Sequence, residues 1–280
     1  MRSNLKKIKF AAITILIVFT LVASNAVTHS RLDVNNQPPK PCLTAVENNC
    51  GAIATFPRMP THIPKIDQTE QERFLAAIAN NLSAIPQPNT YEYILLKAYG
   101  AAFINQTKIA KLPSTVLLNN EQETQAFQNT LTMVKVDGTN DCYLQAAAVA
   151  ALNQARAEQN IPLKSGYGSG DCTRTFATNL RFWNKYANQS ILDKVIQGKE
   201  TAILSVVAPP GASQHLWGLA IDLRISNQQQ RQTLNQHGWF QTVVNDVPHW
   251  TYLGLTEQDL LNVGLINKVE KGISYWVTPL

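Results

Sequence analysis

Two imidazoles and two carboxylates fall close together near the end of this 280-residue chain. His215 and Asp222 lie in Ser213-Gln214-His215-Leu216-Trp217-Gly218-Leu219-Ala220-Ile221-Asp222, and Asp246 and His249 in Asp246-Val247-Pro248-His249-Trp250. Three such groups and a water make a catalytic zinc site, because Zn²⁺ favours four-coordination and chemistry needs one open position. The fourth group, Asp246, three residues before the second His, is placed to act on that water as a general base. The chemistry of that set is hydrolysis. The competing reading of the same residues is a metal-free one, a core His capped by an Asp, which is how buried His is commonly satisfied. The chain would then be a structural or interaction protein.

His215 and Asp222 are seven residues apart. One helix would put both on the same face, but Leu216, Leu219, Ile221 and Leu223 around Gly218 read as a strand or strand-like hairpin. Residues seven apart on a strand face opposite ways, so the pattern predicts a bend or bulge near Gly218. Ser213 lacks the Gly-x-Ser-x-Gly setting of a serine hydrolase and is expected to hydrogen-bond near the metal loop.

Ser-x-His-x-x-Gly-x-Ala-x-Asp, followed by acidic-x-x-His-aromatic, resembles the zinc D-alanyl-D-alanine carboxypeptidases and dipeptidases of bacterial cell walls (VanY and VanX type), over roughly Asn140 to Leu255. The resemblance implies that His215, Asp222 and His249 are zinc ligands and that Asp246 is the general base. The family usually has Glu there, and Asp is one methylene, about 1.5 Å, shorter. A second family landmark is Ser-Gly-Tyr-Arg-Ser-Tyr-x-x-Gln, whose Arg stabilises charge at the scissile carbonyl. Here Ser165-Gly166-Tyr167 is followed by Gly168, and Arg174-Thr175-Phe176-Ala177-Thr178-Asn179 resumes the pattern after an insertion from Gly168 to Thr173. Arg174 is then the electrophilic residue, with Tyr167, Ser213 and Trp250 as substrate contacts. The implied substrate is a peptidoglycan stem peptide cut at or near D-Ala-D-Ala. Asp for Glu and the interrupted Arg motif leave an alternative: an impaired family member serving as a peptidoglycan-binding or regulatory module of the envelope.

The start of the chain speaks to compartment. Arg2, Lys6, Lys7 and Lys9 precede an apolar run from Phe10 to Ala23, of signal-peptide length and short for a membrane span, and Ser24-Asn25-Ala26 offers a cleavage site after Ala26. An uncleaved N-terminal anchor is the alternative; either way the body lies outside the cytoplasm, periplasmic or secreted, and no stable membrane span is expected after cleavage. Removing residues 1–26 leaves 20 basic residues of 24 against 19 acidic, a net charge of +1. No basic field remains to attract nucleic acid. Four cysteines suit the same compartment and allow three pairings, of which Cys42–Cys50 and Cys142–Cys172 close the most local loops.

Four parts follow: 1–26 signal peptide, 27–65 Pro-rich linker, 66–138 helical region of unreadable role, 139–280 zinc peptidase domain. The expected class is α+β, a small antiparallel sheet flanked by helices, with a helical region before it. In the helical region Asp67 with Glu70 resembles a capping arrangement. Tyr91 to Ile104 is apolar at helical spacing, with Gly100 as a weak point, and Glu121 to Val134 puts Phe127, Leu131 and Val134 on one face. Beyond it, helices are expected from Asp141 to about Glu158 (capped by Asn140), from Arg174 to Tyr186, from the Asn227 cap to Gly238 and from Thr256 to Val263. Strands are expected at Leu163–Tyr167, Trp250–Leu253 and Ile273–Val277. His237 is expected at a helix end, where it meets the dipole. Trp217 and Trp239 are expected in the core or pocket wall.

Overall fold

The computed structural model describes residues 67–280 apart from positions 107 and 167. The expected signal peptide, the linker, Cys42–Cys50 and the Tyr167 contact lie outside the described residues. The described residues belong to the unit running from Pro57 to Leu280.

Helices and short antiparallel strands alternate, the α+β class expected. In chain order they are α1 (Glu70–Ile78), α2 (Tyr91–Tyr99), α3 (Glu121–Gln128), β1 (Met133–Lys135), β2 (Tyr143–Gln145), α4 (Ala146–Glu158), α5 (Gly168–Asp171), α6 (Phe176–Tyr186), α7 (Gln189–Ile196), β3 (Ala220–Asp222), α8 (Gln228–Gln236), β4 (Trp239–Phe240), β5 (His249–Tyr252), α9 (Glu257–Asn262), β6 (Ile266–Glu270) and β7 (Ile273–Val277). The central sheet has the order β3-β5-β4, and β1-β2 and β6-β7 form two-stranded ribbons, all antiparallel.

Local chemistry explains most boundaries. Thr69, not Asp67, caps α1, in a reciprocal capping box with Glu72. Asn227 and Thr256 close the same kind of box on α8 and α9 with Gln230 and Asp259. Gly238 and Gly264 take positive φ just after those helices, as helix stops do. Thr175 caps α6, so that helix starts two residues later than expected.

Other elements differ from the sequence pattern. The helix expected from Asp141 begins only at Ala146, because Tyr143–Gln145 pairs with Met133–Lys135 and the Gln145 N–H donates to the Gly218 carbonyl. That same pairing ends α3 at Gln128 and draws Val134 into a strand. Tyr91–Ile104 divides at Gly100, where the α-helix passes into a 3₁₀ turn (Gly100–Ile104); a Cβ on Gly100 would stand 2.7 Å from Leu96 Cδ1. The strand expected at Leu163–Tyr167 is a single bridge, Leu163 to Leu223. β6 was not anticipated: it is exposed along most of its length, and β7 supplies its pairing.

Residues 67–138 share one hydrophobic core with the later elements. Phe74, Phe103, Trp217, Trp239 and Phe240 are all fully buried in it. The Phe103 and Trp217 rings lie 5.0 Å apart, and a Cβ on Gly264 would fall 2.1 Å from the Glu70 carbonyl oxygen. This helical layer therefore packs directly behind the turn that carries His215 and the strands that carry Asp222 and His249. Among the described residues no helix is long and apolar enough to cross a membrane.

Candidate metal centre

The bend expected near Gly218 is present. A 3₁₀ turn, Gln214–Trp217, carries His215, Gly218 turns the chain with φ +67°, and β3 follows at Ala220. A Cβ on Gly218 would also press on Met133 and Gln145 at 3.2–3.3 Å. The bend cancels the strand alternation that would have set His215 and Asp222 on opposite faces.

Register does the rest. Asp222 lies directly across from His249 in the β3–β5 ladder, and Ile221 across from Trp250. Cross-strand partners share a face, so Asp222 and His249 meet on the cleft side while Ile221 and Trp250 turn into the core. Trp250, expected to contact substrate, is thus not brought to the cleft; it is 1% exposed. Asp246 precedes β5 in a turn: its N–H donates to the Val243 carbonyl and its own carbonyl accepts from His249 N–H. That turn is the physical content of the acidic-x-x-His spacing, since residues three apart in a turn are neighbours.

His215 Nε2, His249 Nδ1 and Asp222 Oδ1 converge. The His215–His249 separation is 3.2 Å, His215–Asp222 3.4 Å and His249–Asp222 3.8 Å. Tetrahedral zinc with bonds of ~2.0–2.2 Å holds its ligand atoms about 3.3–3.6 Å apart. The three side chains are buried and form a cluster able to hold a metal ion.

Hydrogen bonding fixes which nitrogens face inward. His215 Nδ1 is 2.8 Å from the Cys172 carbonyl, which can only accept, so Nδ1 carries the proton. Gln214 Nε2 donates to the Tyr99 carbonyl at 2.7 Å, which orients its amide oxygen toward His249 Nε2 and Thr251 Oγ1, each at 2.7 Å. His249 Nε2 is therefore the donor, and Nδ1 the bare nitrogen. The 3.2 Å contact between the rings then sets two lone pairs against each other. It is not a hydrogen bond between neutral rings; it is the arrangement a shared cation would stabilise.

Electrostatics agrees. Burial, with help from the Arg174 guanidinium, depresses His215 to about 4, so the imidazole is neutral and able to ligate. Burial alone would raise Asp222, but the Arg174 guanidinium bonded to its Oδ2 holds it below the usual carboxylate range. Asp246 is raised above that range, by burial first, with repulsion from Asp222 adding to it.

The structure brings Arg174, Ser213 and Asp246 into the same cleft as the three candidate ligands, a space of about 90 Å³. Arg174 Nη2 donates to Asp222 Oδ2 at 2.7 Å and Nε to the Gly170 carbonyl at 3.0 Å, with Phe182 stacked under the guanidinium. That grip turns Asp222 Oδ1 toward the imidazoles. Gly168, where the family pattern has Arg, shows why the pattern is interrupted: a Cβ there would stand 2.4 Å from Asp141 Oδ1 and Cys142 N. The expected Cys142–Cys172 disulfide is present and anchors the segment whose Cys172 carbonyl orients His215. Asn179, aligned with the family Gln, binds the turn that leads into His215 at two points, accepting from Gly211 N–H and donating to the Ala208 carbonyl. His237 stands apart, capping α8 and bonded to Glu158 at 2.8 Å.

Several contributors were not singled out from sequence. Gln214 carries no motif signal; only its place between Ser213 and His215, in a turn that sends neighbours in different directions, hints at its role. Tyr99 acts through its carbonyl, which side-chain identity does not reveal. Lys164 lines the cleft without belonging to any expected pattern.

Part of the chain is similar to known proteins. Residues 143–254 match the family model of VanY, D-alanyl-D-alanine carboxypeptidase. Among solved structures, the vancomycin-resistance D,D-dipeptidase VanXYg in complex with a D-Ala-D-Ala phosphinate analogue aligns at 12% identity and TM-score 0.34, covering 51% of this chain and 71% of its own. A mutant of the D,D-pentapeptidase VanY from a VanB-type resistance cassette, in complex with Zn(II), aligns at 17% identity and TM-score 0.31, covering 45% and 81%. No curated protein matches the chain. With a disulfide at its edge and the His-Asp-His cluster inside it, the segment from Tyr143 to Gly254 is similar to the VanY D-alanyl-D-alanine carboxypeptidase family.

Proposed function

We propose that this protein is a zinc D,D-peptidase acting outside the cytoplasm on peptidoglycan stem peptides, releasing the terminal D-Ala. The observation that carries the proposal is the pair of imidazoles whose unprotonated nitrogens face each other at 3.2 Å beside Asp222. The basic-then-apolar start of the chain and the Cys142–Cys172 disulfide support the compartment.

His215, Asp222 and His249 would hold the zinc. A zinc ion bound there supplies Lewis acidity and acidifies a water to near-neutral pKa. The chain's own groups supply the rest. Asp246, its carboxyl raised by burial, takes the proton from the attacking water and returns it to the leaving amine. Arg174 spends one donor on Asp222 and one on Gly170; its remaining N–H groups are available to the carbonyl oxygen as charge develops. Lys164, at the cleft wall, is a cation for the free carboxylate that distinguishes a carboxypeptidase substrate. The small cleft admits a chain end more readily than the middle of a chain.

The direct test is His215→Ala. Zinc should fall from about one per chain to none while the fold is retained by circular dichroism. Stoichiometric zinc and undiminished D-Ala release in that variant would sink the assignment.

A further inference from the structure

The cleft around the His pair, at about 90 Å³, is far below the ~300–1,000 Å³ of sites that enclose a whole small ligand. A peptide whose end enters it must lie elsewhere for most of its length. A second, open groove of about 640 Å³ adjoins the cleft: Leu204 and Val243 line both.

Four segments build that groove. α2 contributes Ile94 and Lys97, the segment after α7 contributes Gln197, Thr201 and Leu204, the stretch after β4 contributes Val243 and Val244, and the β6–β7 ribbon with the residue after it contributes Lys268 and Thr278. Half of its lining lies outside residues 143–254, so the groove is built jointly by the family-matched segment and the parts of the chain that flank it. Thr278 Oγ1 donates to the Lys97 carbonyl and ties the ribbon to α2, which sets the two cationic residues on one groove. Its charged lining is Lys97 and Lys268 alone; no Asp or Glu lines it. Both lysines are exposed and able to swing to a ligand. Apolar walls from Ile94, Val244 and Val277, with Asn, Gln, Ser and Thr groups between them, suit a peptide backbone with small side chains.

We propose that this groove binds the upstream, carboxylate-bearing part of a peptide whose C-terminal end occupies the cleft, with Lys97 and Lys268 meeting the carboxylate. The inference rests on the peptidase reading for the identity of the ligand, but its test does not depend on turnover.

Two N-acetylated tetrapeptides, Ala-Glu-Ala-D-Ala and Ala-Gln-Ala-D-Ala, differ only in one upstream carboxylate. Their dissociation constants would be measured on the folded protein at low and high salt. The Glu peptide should bind roughly three- to tenfold more tightly at low salt, the scale of two exposed ion pairs, and lose that advantage at high salt. The Lys97→Gln/Lys268→Gln double variant should bind both peptides alike, and Lys97→Glu/Lys268→Glu should bind the Gln peptide more tightly at low salt, with thermal stability unchanged because both side chains are exposed. Equal binding of the two peptides by the native protein would overturn the proposal, as would a Glu preference that survives either double variant. D-Ala release from the corresponding pentapeptides reports separately on the peptidase reading: a Glu preference without release leaves the groove standing and removes the catalytic assignment.

Discussion

At the residue scale the site depends on groups that never touch a metal. Gln214 is held by the Tyr99 carbonyl on one side and offers its oxygen to His249 Nε2 and Thr251 on the other. Such outer partners typically govern 10–100-fold in metal affinity. Gln214→Leu should therefore weaken zinc binding by about that factor in a chelator competition, with less effect on global fold. Unchanged affinity would show that His249 needs no such support. Asp246 is a different case. Asp246→Asn should keep zinc and lose roughly 10²–10⁴-fold in kcat, the usual size of a general-base contribution; full activity would remove Asp246 from the mechanism. Asp246→Glu asks whether the site is built around the shorter side chain, and an Asp-fitted site predicts lower activity. The three candidate ligands and Asp246 stood out in the sequence through the resemblance of the two motifs that hold them to the VanY and VanX type peptidases, since two His and two Asp at such spacing are not distinctive by themselves. Gln214, Tyr99 and Cys172 did not, because they act through an amide orientation and two backbone carbonyls.

The elements that place these groups are legible where local chemistry alone decides them. The Asn227 box, the stops at Gly238 and Gly264 and the bend at Gly218 follow from a cap, a positive φ or an alternation that had to break. Elements decided by pairing were misread: Tyr143–Gln145 has the composition of a helix start and becomes strand only because Met133–Lys135 lies beside it. Trp250 was misplaced for a related reason, since the register that aligns Asp222 with His249 sends the next residue into the core. One glycine tests the loop that delivers His215. Gly211 has φ +88°, and a Cβ there would fall 2.0 Å from the Leu118 carbonyl oxygen. Gly211→Ala should cost on the order of 1–3 kcal/mol, read as a drop in denaturation midpoint, and should weaken zinc binding as well. A neutral substitution would mean the loop tolerates displacement.

Across the whole molecule, the helical layer of residues 67–138 had no readable role in the sequence, because its apolar faces name no partner. In the fold it backs the site: Phe103 packs on Trp217, and Tyr99 reaches Gln214. Burial of the His215 site also makes stability depend on pH. In the metal-free protein His215 titrates near 4, against 6.5 when unperturbed. Between those values the unfolded chain binds the extra proton, so stability is complete above about pH 6.5 and declines as pH falls toward 4. The depressed Asp222 adds loss in the same direction at lower pH still. The thermal midpoint of chelator-treated protein should fall steadily over that window and level off above it; a midpoint flat from pH 7 to 4 would contradict the buried neutral His215. The central claim is that the imidazole pair and Asp222 are a zinc site serving peptide hydrolysis. Zinc content measured together with D-Ala release from an acetylated pentapeptide ending in D-Ala-D-Ala, on chain lacking residues 1–26, tests it most directly. About one zinc per chain is expected, with release that chelation abolishes and added zinc restores. Protein that binds no zinc, or that releases D-Ala equally well without it, would contradict it.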